Sequence, residues 1–272
     1  MRLGGRVQAA IEVLEDMQAR KRPAADALKD WGLAHRFAGS GDRNAIGNLV
    51  YDTLRKQSSS AWLMDDDTPH SIVFLTLQKQ WGTGLDQMRE AFAEDKFAPE
   101  IPVDKLEAAK TRDYAFADAF IEADVPAWCA EFFEENFEDD WVKEAQALSE
   151  RPPLDIRVNT LKADREKVLK ALSETGARPT DIALNGIRIA GGKGASRLPN
   201  VQAEAGFQKG WFEIQDEGSQ LVSDLVYARP GEQVFDFCAG GGGKTLALCA
   251  SMENKGQVHA YDNNKQRLAP IY

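Results

Sequence analysis

A run of glycines near residue 240 is the part of the sequence whose residue types and spacing best suit ligand chemistry. Residues 233–238 read as an apolar strand, and the glycine-rich residues 239–245 lead from it into an apolar helical pattern. Glycines let the backbone approach a ligand closely, and a helix N-terminus offers free N–H groups to a carboxylate or phosphate. A second predicted strand, 256–261, ends in Asp262, nineteen residues after Gly243, where a carboxylate can bind both ribose hydroxyls. Together these features predict a site for a nucleotide-like cofactor.

The spacing around these glycines separates three cofactors. A phosphate-binding P-loop requires a glycine at the position that Cys238 occupies. A dinucleotide fingerprint requires glycine or alanine where Thr245 or Leu246 stands, depending on which glycine is counted first. What remains is an acidic residue at the end of the first strand, Asp236, followed after three residues by the glycine loop, as in S-adenosylmethionine methyltransferases. A tight strand-to-helix turn without a ligand is the alternative.

The first half of the chain has the pattern of a helical domain. Apolar residues recur at spacings of three and four, as at Val7, Ile11 and Leu14. The pattern predicts helices up to about residue 145, with a connector near 97–108 that contains two prolines.

The apolar period changes near residues 151–153. Leu154, Ile156 and Val158 alternate with polar residues, which predicts a strand. A short helix ending at Gly176 and a strand over residues 187–189 follow. The sequence therefore predicts a small α+β module after the helical domain.

The net charge of −10 is unevenly distributed. Residues 111–150 carry twelve acidic and two basic side chains, a net of −10, whereas residues 20–56 and 151–210 carry +4 and +5. A loop at 191–195, rich in glycine and containing Lys193, has the flexibility and charge to approach a phosphate backbone. Solvated surface is the alternative explanation for each charged segment, and a plain surface loop is the alternative for 191–195.

Several segments resemble one family in the correct order along the chain. Residues 236–245 resemble the first cofactor motif of the Sun/Nol/Nop (RsmB-like) family of RNA cytosine-5 methyltransferases, except that Gly240-Gly241 replaces the usual Ala-Pro. Residues 152–162 are similar to the Arg-Val-Asn segment of that family's RNA-binding module, and residues 212–220 to the start of its methyltransferase domain. Residues 39–55 resemble the helical, NusB-like leader of the bacterial members.

The resemblance implies a multidomain architecture. An all-α NusB-like leader would span residues 1–145, and a small α+β, RRM-like, RNA-binding module would span 146–228. Residues 229–272 would be the N-terminal part of an α/β Rossmann-like class I methyltransferase domain, truncated after its second strand because a doubly wound sheet needs about six strands.

The resemblance also implies the residues of the site. The methionine end of S-adenosylmethionine would be lined by the glycine loop, and Asp262 would hold the ribose. The loop residues are Cys238, Ala239, Gly240, Gly241, Gly242, Gly243 and Lys244. Lys244 could instead be a solvent-facing residue of the first helical turn. Arg157 and Asn159 are the candidate RNA contacts, with simple exposure as the alternative for Arg157.

Catalytic residues are not predicted in this chain. Methylation of cytosine C5 requires a thiolate that attacks C6, and the family's two cysteines follow a proline and lie in a Thr-Cys-Ser. Neither context occurs here, and Cys129, Cys238 and Cys249 read as small packing residues. We therefore expect an S-adenosylmethionine-dependent RNA methyltransferase, with rRNA as the favoured target, whose present chain is inactive. The alternative is a non-catalytic RNA-binding or assembly module.

The remaining composition indicates a cytoplasmic protein. No apolar window approaches the roughly 20 residues of a membrane helix, and the N-terminus lacks the apolar segment of a signal peptide. The three cysteines match neither a zinc site nor a redox Cys-x-x-Cys, so reduced thiols and no metal are expected. The sequence does not indicate the oligomeric state of the protein.

Overall fold

The computed structural model describes residues 1–271, which form two compact units. The first contains Met1–Arg151 together with the segment Gly192–Arg197. The second contains Pro152–Gly191 and the described residues from Leu198 onward. No helix among residues 1–271 is both long and apolar enough to span a bilayer.

The first unit is helical, as the apolar periodicity predicts. Its helices are α1 (Leu3–Arg20), α2 (Ala24–Ala34), α3 (Ser40–Arg55), α4 (Gln57–Met64), α5 (Pro69–Lys79), α6 (Leu85–Phe92), α7 (Val103–Ala108), α8 (Ala119–Glu122), α9 (Ala127–Phe137) and α10 (Trp141–Leu148). Helix α5 supplies much of the core, with Val73, Phe74 and Leu77 fully buried. It begins at an N-cap, where Thr68 Oγ1 accepts a hydrogen bond from Ser71 N at 3.4 Å and Pro69 occupies the first turn.

The predicted connector at 97–108 is only partly correct, because its second half forms α7. Pro102 stands immediately before this helix, where its missing N–H leaves no hydrogen bond unmade. Leu106 is fully buried in the core of the first unit, so packing stabilises a helix that is too short to be stable by itself.

The second unit begins with a four-stranded antiparallel sheet. The strands β1 (Leu154–Val158), β2 (Arg178–Pro179), β3 (Gly186–Ile189) and β4 (Phe212–Ile214) lie in the order β2-β3-β1-β4. Helix α11 (Arg165–Ala171) follows β1, and α12 (Ala205–Gln208) precedes β4. This β-α-β-β-α-β order is that of ferredoxin-like folds. Ile156, Ile187 and Phe212 form its core with Val168 and Leu172.

A second sheet has two parallel strands, β5 (Gln233–Asp236) and β6 (Gln257–Ala260), with Asp236 opposite Ala260. Helix α13 (Glu217–Asp224) precedes the sheet, α14 (Gly243–Ser251) connects its strands, and α15 (Lys265–Leu268) follows. Leu248 and Met252 pack against Val234 and Val258 on one face.

The opposite face of this sheet carries exposed aromatic rings. Phe235, Phe237 and Tyr261 are 60%, 64% and 46% exposed, and the rings of Phe237 and Tyr261 stack at 5.3 Å. We therefore find the predicted strand-loop-helix-strand, and within residues 1–271 only one face of its sheet is covered. Because both sheets belong to one compact unit, the boundary at 228/229 stays a prediction, as does the boundary at 145/146.

Candidate cofactor site

The glycine loop and Asp262 meet at one edge of the parallel sheet. The carboxyl ends of parallel strands lie at the same edge, so the residues that follow β5 and β6 are neighbours. Tyr261 N donates to Asp236 O at 2.9 Å, and Ala239 N donates to Tyr261 O at 2.9 Å. These two bonds hold the start of the loop against the end of β6.

Asp262 is bound directly to the glycine loop. Its Oδ2 accepts a hydrogen bond from Gly240 N at 3.0 Å, and its Oδ1 accepts one from Asn264 N at 2.9 Å. These backbone N–H groups, Asn264 first, hold the pKa of the Asp262 carboxyl below its ordinary value, and the cation of Arg267 at 3.7 Å acts in the same direction. Although Asp262 is only 6% exposed, each oxygen of its carboxylate has capacity for a further donor.

The glycines of the loop have different surroundings. Gly240 and Gly242 have φ of +52° and +87°, which a residue with a Cβ rarely adopts. A Cβ on Gly242 would lie 2.7 Å from Ile271 Cγ1, and one on Gly240 would lie 3.2 Å from Arg267 Nη2. A Cβ on Gly241 would meet nothing within 4 Å. Gly241 therefore borders open space in which a ligand can approach the backbone.

The first turn of α14 is fixed to the end of β5. Thr245 Oγ1 donates to Asp236 Oδ2 at 2.6 Å, and Thr245 is buried. The loop N–H groups of Gly241 and Gly243 have no hydrogen-bond acceptor among residues 1–271. The acidic residue at the end of the first strand thus orients the helix, and the loop leaves donors for a ligand.

Gln215, just before α13, and Ser219, within it, border the glycine loop, and sequence reasoning missed both. Lys244 Nζ donates to Ser219 Oγ at 3.3 Å, so Lys244 turns toward α13. Gln215 is 7% exposed, and its Oε1 has no hydrogen-bond partner in the described part of the chain. Its Nε2 would lie 3.6 Å from a Cβ on Gly243. Gln215 lies in residues 212–220, whose family resemblance was the signal that could have identified it.

A buried ionic network holds α13 against the first sheet. Asp155 Oδ1 and Oδ2 each accept a hydrogen bond from the Arg188 guanidinium at 2.7 Å, and Oδ2 also accepts from Glu217 N at 3.0 Å. Arg188 Nη2 lies 3.2 Å from Glu217 Oε2. The backbone N–H groups of Ala183 and Ile182 lower the pKa of Glu217, and Asp155 raises that of Arg188. The network joins strands β1 and β3 to the helix that borders the cofactor site.

Arg157 is buried, which corrects the alternative of simple exposure that its strand pattern offered, while its contact with RNA stays a prediction. It is 7% exposed, and burial lowers the pKa of its guanidinium. It lines a cavity of about 310 Å³ with Gln220, Asp224 and Glu253, and its buried Nε has no hydrogen-bond partner among residues 1–271. The alternation in β1 correctly indicated that Ile156 and Val158 face the core. Arg157 is buried because the opposite face of the sheet is covered as well.

Asn159 is also occupied within the protein. Its Nδ2 donates to Gly210 O at 3.0 Å, and its Oδ1 accepts from Leu161 N at 3.2 Å. These bonds shape the turn after β1, so they favour a structural function over RNA contact.

The three cysteines are free thiols. Burial raises the pKa of the Cys249 thiol, which disfavours the thiolate, and Cys129 Sγ donates to Pro126 O at 3.2 Å. Cys238 is exposed in the glycine loop. Within residues 1–271 no group of three or more His, Cys, Asp or Glu side chains is suited to hold a metal ion.

Comparison with known families identifies two parts of the chain. Residues 125–194 match the RsmF/B-like methyltransferase ferredoxin-like domain, and residues 225–272 match the 16S rRNA methyltransferase RsmB/F. The first match agrees with the strand order of the first sheet. The second contains the glycine loop and Asp262.

Curated relatives match a little over half of the chain. A probable ribosomal RNA small subunit methyltransferase B of Synechocystis sp. is 36% identical over 154 residues, covering 54% of this chain and 32% of the relative. A ribosomal RNA small subunit methyltransferase B of Yersinia pseudotuberculosis is 31% identical over 148 residues, covering 54% and 33%. The matched region is about a third of each relative's length. The crystal structure of PH0851 shares the fold, with a TM-score of 0.65 at 20% identity over 100% of this chain and 67% of that one.

Proposed function

We propose that this chain, which belongs to the Sun/Nol/Nop (RsmB-like) family of RNA methyltransferases, binds S-adenosylmethionine and is part of an rRNA cytosine-5 methyltransferase. The observation that carries the proposal is the bond between the Asp262 carboxylate and Gly240 N, which places an acidic side chain beside the glycine loop. The proposal includes a NusB-like fold for the helical unit and a Rossmann-like, class I methyltransferase domain beginning at β5. The cytoplasm is the proposed compartment.

The residues of the site fit this cofactor. Asp262 has acceptor capacity left on both oxygens for the ribose hydroxyls. The open space beside Gly241, the loop N–H groups and the unpartnered Gln215 Oε1 suit the methionine end, whose ammonium donates and whose carboxylate accepts. The loop residues Cys238, Ala239, Gly240, Gly241, Gly242, Gly243 and Lys244 would line that end. When bound, the cofactor supplies the methyl group.

The names of the relatives support rRNA as the proposed target, and the family resemblance supports the proposed cytosine-5 chemistry. This chemistry needs a thiolate nucleophile near the target base. Cys249 is half-buried with a raised pKa, and Cys129 is remote from the loop in sequence. Cys238 lies in the loop that would bind the cofactor, and neither cysteine context of the resemblance surrounds it. We therefore propose that the present chain binds the cofactor without transferring its methyl group.

Calorimetric titration with S-adenosylmethionine tests the cofactor site. We expect heat of binding for the unaltered chain and none for Asp262→Ala, because the ribose would lose its acceptor and the loop would lose the contact to Gly240. Asp181→Ala, which removes an exposed carboxylate of the same unit, is the matched control and should bind normally. If the unaltered chain gives no heat of binding, the proposed function is wrong, and a cofactor-free RNA-binding module becomes the better explanation.

A further inference from the structure

A small cavity of about 190 Å³ in the first unit is lined by more cationic than anionic side chains. Five of the lining residues are basic and two are acidic. The basic ones are Arg55, Lys56, Lys79, Arg151 and Lys193, and the acidic ones are Asp52 and Glu150. This local excess of positive charge lies in a chain whose net charge is −10.

Asp52 organises two of these cations. Its carboxylate accepts hydrogen bonds from Trp81 Nε1 at 2.9 Å, Arg55 Nη1 at 3.2 Å and Arg151 Nε at 3.2 Å, and its side chain is only 10% exposed. Because its oxygens are occupied by these donors, Asp52 fixes the two guanidinium groups and offers little negative charge to a ligand.

The segment Gly192–Arg197 is held in place at this cavity. Asn48 Nδ2 donates to Gly194 O at 3.2 Å and to Ser196 O at 2.9 Å, and Arg151 Nη2 donates to Gly194 O at 3.0 Å. Ser196 N donates to Lys193 O at 3.1 Å and closes a turn in which Gly194 has a φ of +58°. The glycine-rich loop that was predicted to approach a phosphate backbone is thus held beside α3, and Lys193 is exposed on it.

Two of the five cations are available to a ligand. Lys79 and Lys193 are exposed and form no salt bridge with residues 1–271, whereas Lys56 lies 3.4 Å from Glu150. Free ammonium groups beside fixed guanidinium groups suit phosphate oxygens. None of the residues that line the cavity is aromatic, so the cavity offers no surface for base stacking.

We propose that this cavity binds a phosphate group of the RNA backbone and so positions RNA on the first unit independently of its sequence. The inference rests on the proposed function in one respect, that the protein acts on RNA. It assigns the contact to residues outside the cofactor site and outside the candidates Arg157 and Asn159.

The test is binding of the 272-residue chain to a fluorescein-labelled single-stranded RNA of 20 nucleotides, measured by anisotropy at several salt concentrations. The variant is Lys79→Gln with Lys193→Gln, and the matched control is Lys29→Gln with Lys143→Gln, which removes two exposed lysines of the same unit outside the cavity. We expect the cavity variant to bind roughly tenfold more weakly at low salt. The slope of log affinity against log salt should become shallower by about 0.7, the contribution of one phosphate contact on a single strand.

Equal affinities for the cavity variant and the control variant would overturn the proposal, and so would an unaltered chain that does not bind this RNA. A parallel titration with sodium phosphate separates the two sources of the anion. Phosphate binding that depends on the two lysines, with RNA affinity unchanged, would show a site for the free ion and reject the RNA contact. Titration of the same preparations with S-adenosylmethionine distinguishes failure of the RNA contact from failure of the proposed function. Because the cofactor site contains neither lysine, both variants should bind S-adenosylmethionine as the unaltered chain does.

Discussion

At the residue scale, neighbouring glycines of the loop have separate requirements. Gly242 has a positive φ, and a Cβ at this position would contact Ile271. Gly241 has neither constraint and borders open space. Substitutions at Gly242 therefore test the stability of the loop, and substitutions at Gly241 test its binding to the cofactor.

Alanine at Gly242 should lower the free energy of unfolding by about 1–2 kcal/mol, the usual cost of a left-handed conformation for a residue with a Cβ. Alanine at Gly241 should leave it nearly unchanged. Valine at Gly241 should weaken S-adenosylmethionine binding while the urea midpoint stays within error of the unaltered chain. Urea unfolding and calorimetry on the same three variants check this, and a Gly241→Val chain with full cofactor affinity would contradict the assignment of the open space.

Asp262 predicts a pH dependence of stability. The pKa of Asp262 in the folded chain lies below 3.8, its ordinary value. Its ionised carboxylate therefore contributes fully to the free energy of unfolding above pH 3.8. This contribution is lost as the pH falls from 3.8 through the pKa of the folded chain. The stability advantage of the unaltered chain over Asp262→Asn should therefore narrow as the pH falls from about 6 to 3. Urea midpoints at each pH measure it, with Asp181→Asn as the control that shows no such trend. A constant difference would mean that the carboxylate is not held by Gly240 and Asn264.

At the element scale, the sequence predicted most helices and the strands β1, β3, β5 and β6, because each carries a clear apolar period. Strands β2 and β4 were missed, since they contain two and three residues and Arg178-Pro179 has no apolar pattern. The glycine loop and Asp262 were predicted and lie together, yet Gln215 was not, because its place depends on how α13 packs. The burial of Arg157 was also missed because it depends on packing. The alternation of apolar and polar residues within one strand does not show whether other residues cover the polar face of the sheet.

The ionic network is the element-scale contact that sets the position of α13. Arg188→Met should destabilise the chain by about 2–3 kcal/mol, less than the usual cost of breaking a fully buried pair because the Arg188 side chain is 30% exposed. The loss arises because the Asp155 carboxylate, whose side chain is 2% exposed, loses its two hydrogen bonds to the Arg188 guanidinium. Arg178→Met is a matched control, since Arg178 lies opposite Arg188 on β2 and is exposed.

A second substitution makes this prediction specific. Adding Asp155→Asn to Arg188→Met removes the uncompensated charge and should restore part of the lost stability. Equal urea midpoints for the Arg188 and Arg178 variants, or no recovery in the double variant, would show that the network does not hold the helix.

At the scale of the whole molecule, binding and catalysis should be separable. Incubation of the chain with S-adenosylmethionine labelled in its methyl group and with 16S rRNA should give no label in the RNA, although calorimetry detects the cofactor. The reason is chemical, since neither of the cysteine contexts that the family resemblance implies, a Pro-Cys and a Thr-Cys-Ser, is present in the 272 residues. If label does enter the RNA, Cys238→Ser and Cys249→Ser variants would show whether one of these thiols is the nucleophile.

The uncovered aromatic face of the parallel sheet affects how the molecule behaves in solution. Phe235, Phe237 and Tyr261 form a contiguous apolar patch, and within residues 1–271 each of the two strands is paired on one side only. Such a surface makes encounters between molecules attractive, because each contact removes apolar area from water and offers strand edges to one another. The osmotic second virial coefficient should therefore be negative despite the net charge of −10, and colloidal stability will limit the protein concentration that calorimetry can use.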